Sequence, residues 1–433
     1  MLDILPVEIW WKILKFLPGP DLCSVALVCS FFRQLTQEPA LWSFVTINRD
    51  KIEQFGLDQL FNNYRMKRVK EIDLSYLDLT NETLDNVKKV VNHFEKLRMR
   101  YTNVTKDQKK AVLKASVTSN HLKDLDLDSI PLDDMDDELI TNALVEKRIV
   151  GLNNTCLTYS QVVTLLMKIP TSQVTNLTLS GVNLSDIPPH HLCLLVARVE
   201  VLDLSNTRLT GDQLAAVLCE CIWSTSIEEI NLTGANFAGV SSQLLLDGLA
   251  CLTSVSLCSA MLTRKQLFAT LYSLTLDFST LELLDLSAQD LATLPANLLA
   301  KSLSNLRTIN LNYTKVTTEQ LTAVLRSVAR TKTVTRLELV RLDMTDVPVV
   351  DLIRPVPHIQ ALNLNYSKLT SEQTISLLTA ASRTQSLDYL GLVRANIKPV
   401  PLKTLKKVLS VVRSVALNYT LVTAEQKLIM GKR

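Results

Sequence analysis

LRTINLNYTKVTTEQLTAVLRSVA, residues 306–329, carries the grammar of most of this chain. Its inner phrase NYTKVTTEQ begins at Asn312, NYSKLTSEQ begins at Asn365 and NYTLVTAEQ at Asn418, so successive copies lie 53 residues apart. The head of the stretch has the short apolar spacing of a strand, whose side chains alternate between a core and an open face. The tail, QLTAVLRSVA, has the apolar pattern of a helix. Between them stands T-x-x-Q, found at Thr105/Gln108, Thr158/Gln161, Thr210/Gln213, Thr263/Gln266, Thr317/Gln320, Thr370/Gln373 and Thr423/Gln426. A hydroxyl that accepts from the N3 amide, with an N3 side chain reaching back, is a capping box, so every second helix is expected to start alike.

VEVLDLSNTRL from Val199, LELLDLSAQDL from Leu281, LRTINLNYTKV from Leu306 and IQALNLNYSKL from Ile359 share one frame, L-x-x-L-x-L-x-x-[N/C/T]-x-L. That frame is similar to the leucine-rich repeat, one strand and one helix per unit. Fourteen strands are expected, starting near Val69, Phe94, Leu122, Lys147, Val174, Val199, Ile227, Leu252, Leu281, Leu306, Val334, Ile359, Leu387 and Val412. Their spacing alternates between about 25 and 28 residues, so the period is a pair of repeats, as in the ribonuclease inhibitor that the array resembles. The expected fold is an α/β leucine-rich-repeat solenoid over 69–433, with parallel strands on the concave face and helices on the convex one. In alternate repeats Pro188, Pro295, Pro348 and Pro401 suit the first turn of a helix. The last strand, Val412 to Tyr419, is expected to be an open edge.

The chain has 433 residues, 47% apolar and 21% charged, with a net charge of +3, which removes the electrostatic case for general nucleic-acid binding. MLDILPVEIW has no basic segment ahead of an apolar one, and no apolar run reaches the roughly 18 residues of a membrane span. The eight cysteines are too sparse for a disulfide framework. Reduced thiols and the absent signal point to the cytoplasm or nucleus, and the sequons at Asn176, Asn231, Asn312, Asn365 and Asn418 read as a by-product of the repeat.

Residues 1–45 do not repeat. Leu5-Pro6 before Glu8 opens a helix striped by Ile9, Ile13, Leu14 and Leu17; Pro18-Gly19-Pro20 stops it, and Asp21 can cap a second helix. A third segment runs through Phe32 and Leu35 to Leu41-Trp42. So small a segment cannot bury all its Leu, Ile, Phe and Trp by itself. One reading is a cap that shields the end of the array. The order L-P-x-E, I-L-x-x-L, D-L, V-C-x-x-F-R and L-W closely resembles an F-box, and with the repeats it resembles the F-box and leucine-rich-repeat protein family. Phe31-Phe32 departs from the basic residue and Trp that many F-boxes place there. Residues 46–68 read as a half-repeat, FVTI as strand and DKIEQFGLDQLFNNY as helix, joining the F-box to the array.

That resemblance implies a non-catalytic substrate-recognition subunit of a Skp–cullin–F-box ubiquitin ligase. It docks on a Skp-family adaptor, reaches the cullin and RING subunits indirectly, and binds a protein substrate on the repeats. Leu5, Pro6, Ile13, Leu14, Leu17, Leu22, Val28 and Cys29 are the candidate adaptor contacts or their support. The alternative is a non-ligase binding or inhibitory scaffold whose amino-terminal helices are a cap. No cofactor or metal is implied: His93, His121, His190, His191 and His358 are scattered, DLDLDSIPLDDMDDE lacks the glycine and terminal glutamate of a calcium loop, and no nucleotide-binding or nucleophile-elbow sequence occurs. Cys219 and Cys221 read as buried structural thiols.

Two charged or aromatic ladders are expected on the strand face. Glu71 and Asp73, then Lys96, Arg98 and Arg100, then Asp124, Asp126 and Asp128 would neutralise one another across neighbouring strands. Just past the last five strands stand Tyr313, Arg341, Tyr366, Arg394 and Tyr419, with Asn312, Asn365 and Asn418 beside the tyrosines. Rungs about 4.8 Å apart let Tyr and Arg stack, and both are hot-spot types, so this ridge is the candidate substrate site. Planar Arg and Asn groups suit an acidic or phosphorylated peptide.

Overall fold

The computed structural model describes residues 5–17, 19–42, 44–46, 57, 69–276 and 279–430. They fall in two compact units, Met1–Asp203 and Leu204–Arg433. The first unit begins with helices α1 (Val7–Leu14), α2 (Gly19–Val28) and α3 (Ser30–Leu35) and a 3-10 turn, Pro39–Trp42. It continues through parallel strands β1 (Phe44–Thr46), β2 (Glu71–Asp73), β3 (Lys96–Arg98), β4 (Asp124–Asp126), β5 (Ile149–Gly151), β6 (Asn176–Thr178) and β7 (Val201–Asp203). The second unit holds β8 (Glu229–Asn231), β9 (Ser254–Ser256), β10 (Leu283–Asp285), β11 (Thr308–Asn310), β12 (Arg336–Glu338), β13 (Ala361–Asn363), β14 (Tyr389–Gly391) and β15 (Ser414–Ala416), again parallel.

A helix follows each of β2–β15, so both units have the architecture of a leucine-rich-repeat-type α/β solenoid. All fourteen expected strands form, each beginning two residues after the first Leu-type position of its repeat. That first apolar residue drops into the core ahead of the strand, as Val69, Phe94, Leu306 and Ile359 do. The middle residue of the strand is buried and its neighbours are half open, for example Leu97 between Lys96 and Arg98. Strand β15 pairs with β14, and Ser414 on it is exposed.

Five positions after the start of each of β2–β15 the backbone turns left-handed. These residues are Tyr76, Tyr101, Ser129, Asn154, Gly181, Asn206, Gly234, Ser259, Ala288, Tyr313, Arg341, Tyr366, Arg394 and Tyr419, with φ between +52° and +73°. Only Gly181 and Gly234 adopt this conformation without a Cβ penalty. The turn can aim the amide at the next rung: Tyr313 N–H donates to the Val340 carbonyl at 2.9 Å and Tyr366 N–H to Val393 at 2.8 Å.

All seven T-x-x-Q segments make the capping box. The glutamine does more than cap. Its buried Nε2 donates to two carbonyls of the preceding repeat: Gln108 to Leu79 and Glu82, Gln161 to Leu132 and Met135, Gln266 to Phe237 and Val240. Gln320 bonds Leu291 and Leu294, Gln373 bonds Met344 and Val347, and Gln426 bonds Ile397 and Val400. One amide therefore starts a helix and fastens it to its neighbour, with its polar atoms satisfied in the core.

Three local expectations shift. Pro188, Pro295, Pro348 and Pro401 are N-cap residues, one position ahead of the first turn, where their extended ψ of 132–138° fits the end of a loop. Helix α1 ends at Leu14, and α2 starts at Gly19, so Gly19 and Pro20 open a helix and Asp21 lies in its first turn instead of capping it. Pro18 lies outside the described residues, as do all but Leu57 of the expected half-repeat helix. Cys221 is buried but Cys219 is exposed, because residues two apart on a helix point to different faces.

Candidate functional site

In the amino-terminal helices Leu14, Leu22, Ala26, Leu35, Leu41 and Trp42 are buried. Trp10, Phe31 and Phe32 form an edge-to-face cluster with centroids 5.2–6.2 Å apart, so the unusual Phe31-Phe32 pair supplies packing. Trp42 donates its indole N–H to the Thr36 carbonyl at 2.6 Å, which ties the 3-10 turn to the end of α3.

The candidate adaptor residues divide. Leu14 and Leu22 are core; Leu17 and Cys29 are half-buried; Leu5, Pro6, Ile13 and Val28 are exposed. Val7 and Ile9 are open too, and Phe16 and Leu27 are each 78% exposed, with Val28 at 70%. Phe16 lies two residues past the end of α1, and Leu27 stands on α2 beside the buried Ala26. So many exposed apolar side chains within one short segment mark a candidate interaction site.

On the strand face of the first unit the charges pair. Lys96 bridges Glu71 and lies 3.9 Å from Asp124; Arg98 is 3.9 Å from Glu71; Arg100 bonds Asp126 and lies 3.4 Å from Asp128. Arg148 adds a contact to Asp124 at 3.6 Å. Burial, and then the neighbouring Asp126, push the Asp128 carboxyl above its ordinary range, although Asn153 donates to it twice. The pairing of each cation with a carboxylate is a structural use of this charge. Just beyond it Tyr76 and Tyr101 stack at 5.1 Å and 8°, an aromatic pair legible only once the left-handed position is recognised.

The same position in the second unit carries the Tyr/Arg ridge. Arg341 Cζ stands 5.3 Å from the Tyr313 ring and 5.7 Å from Tyr366; Arg394 Cζ stands 5.3 Å from Tyr366. Tyr313, Tyr366 and Tyr419 are exposed, as are both arginines. Two of the three asparagines spend their side-chain oxygens within the array. Asn312 Oδ1 accepts from Val340 N–H at 2.6 Å and Asn365 Oδ1 from Val393 N–H at 2.8 Å, so both are rungs of the ladder. Asn418 is exposed, and its carbonyl accepts from Arg394 N–H at 3.2 Å.

Elsewhere, a 560 Å³ cleft between helices Ser242–Ala250 and Arg264–Ser273 is lined by Leu246, Phe268 and Tyr272 with Arg264 and Lys265. No group of His, Cys, Asp and Glu among the described residues could hold a metal, and no described helix is long and apolar enough to cross a membrane.

Residues 2–48 match the F-box-like family model. The match spans the three helices, the 3-10 turn and β1. No curated protein is similar enough in sequence to count as a relative. The class defined by fold and family together is an F-box-like domain followed by a repeat solenoid of parallel strands and helices.

Proposed function

We propose that this chain is the substrate-recognition subunit of a Skp–cullin–F-box ubiquitin ligase. The F-box-like helices dock on a Skp-family adaptor, and the strand side of the repeats holds a protein substrate. The chemistry, attack of a substrate lysine on a ubiquitin thioester, takes place on other subunits. This chain supplies proximity, which raises the effective concentration of the lysine at the thioester.

The observation that carries the reading is the exposure of the apolar side chains Ile13, Phe16, Leu27 and Val28 within the F-box-like segment. A helical cap would turn such side chains onto the repeats; an adaptor-binding domain must present them. The test is co-expression with a Skp-family adaptor and size-exclusion chromatography, comparing the native chain with Leu27→Asp/Val28→Asp. Both positions are exposed, so the variant is expected to fold. A one-to-one complex formed by the native chain and lost in the variant is the expected result. A folded native chain that elutes alone would replace this reading with that of a non-ligase binding scaffold.

A further inference from the structure

The left-handed position after each strand has a cheap solution, Gly or Asn, and four of seven successive rungs use it. Ser129, Asn154, Gly181, Asn206, Gly234, Ser259 and Ala288 are all small or carry a short amide. A long or aromatic side chain gains nothing from the backbone here, since L-residues with φ near +60° are strained and Gly or Asn relieves that strain. The next five rungs nonetheless carry Tyr313, Arg341, Tyr366, Arg394 and Tyr419. The turn does not account for this choice.

The charges on these rungs are also unmatched. Several other cations of the second unit have carboxylate partners: Arg307 with Glu282 at 3.2 Å, Lys315 with Asp290 at 3.4 Å, Arg326 with Asp351 at 2.8 Å and Lys368 with Asp343 at 2.8 Å. Among the described residues no carboxylate pairs with Arg341 or Arg394. Glu338, on the strand that leads to Arg341, takes a hydrogen bond from Asn363 Nδ2 at 2.6 Å. Tyrosine rings 5.3–5.7 Å from the guanidinium carbons hold these cations over their faces, and a cation–π contact of this kind leaves N–H groups available to an oxyanion.

From these observations we propose that the ridge binds an extended peptide through two carboxylate side chains, one on Arg341 and one on Arg394. The inference rests on the substrate-receptor reading and names the chemistry of its ligand. The two guanidiniums flank Tyr366 two rungs apart, roughly 10 Å at about 4.8 Å per rung. A polyproline II segment rises about 3.1 Å per residue with three residues per turn, so acidic side chains at i and i+3 fall on one face at that separation. A β-extended peptide puts i and i+3 on opposite faces and does not match. Tyr313, Tyr366 and Tyr419 offer ring surface to the residues between, as aromatic-lined grooves do for such segments.

The test uses the full chain and labelled proline-rich peptides that carry two glutamates spaced by two, three or four residues, their glutamine counterparts, and a version with phosphoserine at both acidic positions. Fluorescence anisotropy is expected to show tightest binding at a spacing of three, weakened by salt. Arg341→Gln and Arg394→Gln should each lose at least about tenfold in affinity, as loss of a charge-assisted contact does. Arg307→Gln, on a different turn, should bind as the native chain does, and all three variants should keep the native thermal unfolding. Equal binding of glutamate and glutamine peptides, no preference for a spacing of three, no binding at all, or binding of the phosphoserine peptide alone would each overturn the proposal. A chain that captures the adaptor but no peptide leaves the receptor reading standing without this ligand; a chain that binds peptide but no adaptor removes the receptor reading instead.

Discussion

Replacing Gln320 by Met isolates the amide that joins two repeats. Gln320 is 2% exposed; its Oε1 accepts from Thr317 N–H at 2.8 Å, and its Nε2 donates to the Leu291 and Leu294 carbonyls, each at 2.7 Å. Methionine matches glutamine in length and helix propensity, so neither a cavity nor propensity confounds the change. Three hydrogen bonds vanish, each worth about 1 kcal/mol net, and the buried groups left without partners add to the loss. A destabilisation of about 3–5 kcal/mol is expected. Thr317→Ala, which removes only the hydroxyl half of the capping box, should cost about 1 kcal/mol. Stability in repeat arrays is a sum of local and neighbour terms, so the damage should concentrate at the junction. Denaturant unfolding measures the total, and amide exchange at Leu294, whose N–H donates to Leu291 at 3.0 Å, measures the turn that the staple holds. If Gln320→Met costs no more than Thr317→Ala and leaves that turn protected, the inter-repeat bonds contribute nothing and the reasoning fails.

Acid should weaken the second unit through two carboxylates. Hydrogen bonds from Lys368 and Thr345 hold Asp343 down to about 2, and Arg326, bonding at 2.9 and 2.8 Å, lowers Asp351. Both folded values lie below the unfolded ones, so the stabilisation is full above the ordinary carboxylate range and is lost as pH falls through it toward 2. Denaturation midpoints measured against pH should therefore fall less steeply below pH 4 in Asp343→Asn/Asp351→Asn than in the native chain; identical acid slopes would refute this. Lys147, buried with Nζ 2.9 Å from the Ser116 carbonyl, has a pKa lowered by desolvation. Its burial penalty is full while it is charged in both states and lifts as pH rises through the folded pKa, so the native chain should gain stability relative to Lys147→Met on going from pH 7 to 10. A constant difference across that range would show that the group does not titrate in the fold. Trimming the ridge by Tyr366→Asn should leave stability within about 1 kcal/mol, because relief of the left-handed strain offsets the lost stacking; a loss of several kcal/mol in thermal or denaturant unfolding would make Tyr366 a structural residue.

The repeat was legible because its determinants are local. Leu306, Ile309 and Leu311 set a strand by spacing alone, and Thr317 with Gln320 closes a capping box within four residues, so strand positions and helix starts could be read without knowing any neighbour. The pattern L-P-x-E through L-W was equally readable, and residues 2–48 match the F-box-like model. What needed the folded chain was every property that depends on a second segment. The Nε2 of Gln320 meets carbonyls 26 and 29 residues earlier, a contact that only the stacking of repeats creates. Which of Ile9, Ile13 and Leu14 is core depends on how three short helices pack: all three belong to one helical stripe, and only Leu14 is buried. The Oδ1 of Asn365 accepts from the Val393 N–H of the next rung, a use of the amide that only stacking reveals. The recurring left-handed residue carries no single residue type, since Tyr, Arg, Ser, Asn, Gly and Ala all occupy it. Sequence by itself determined the period, the strands and the starts of the capping-box helices, which follow from side-chain alternation and local capping. Tertiary structure decided which polar groups the neighbouring repeat consumes and which side chains remain open to a partner, because burial and hydrogen-bond satisfaction are set between segments.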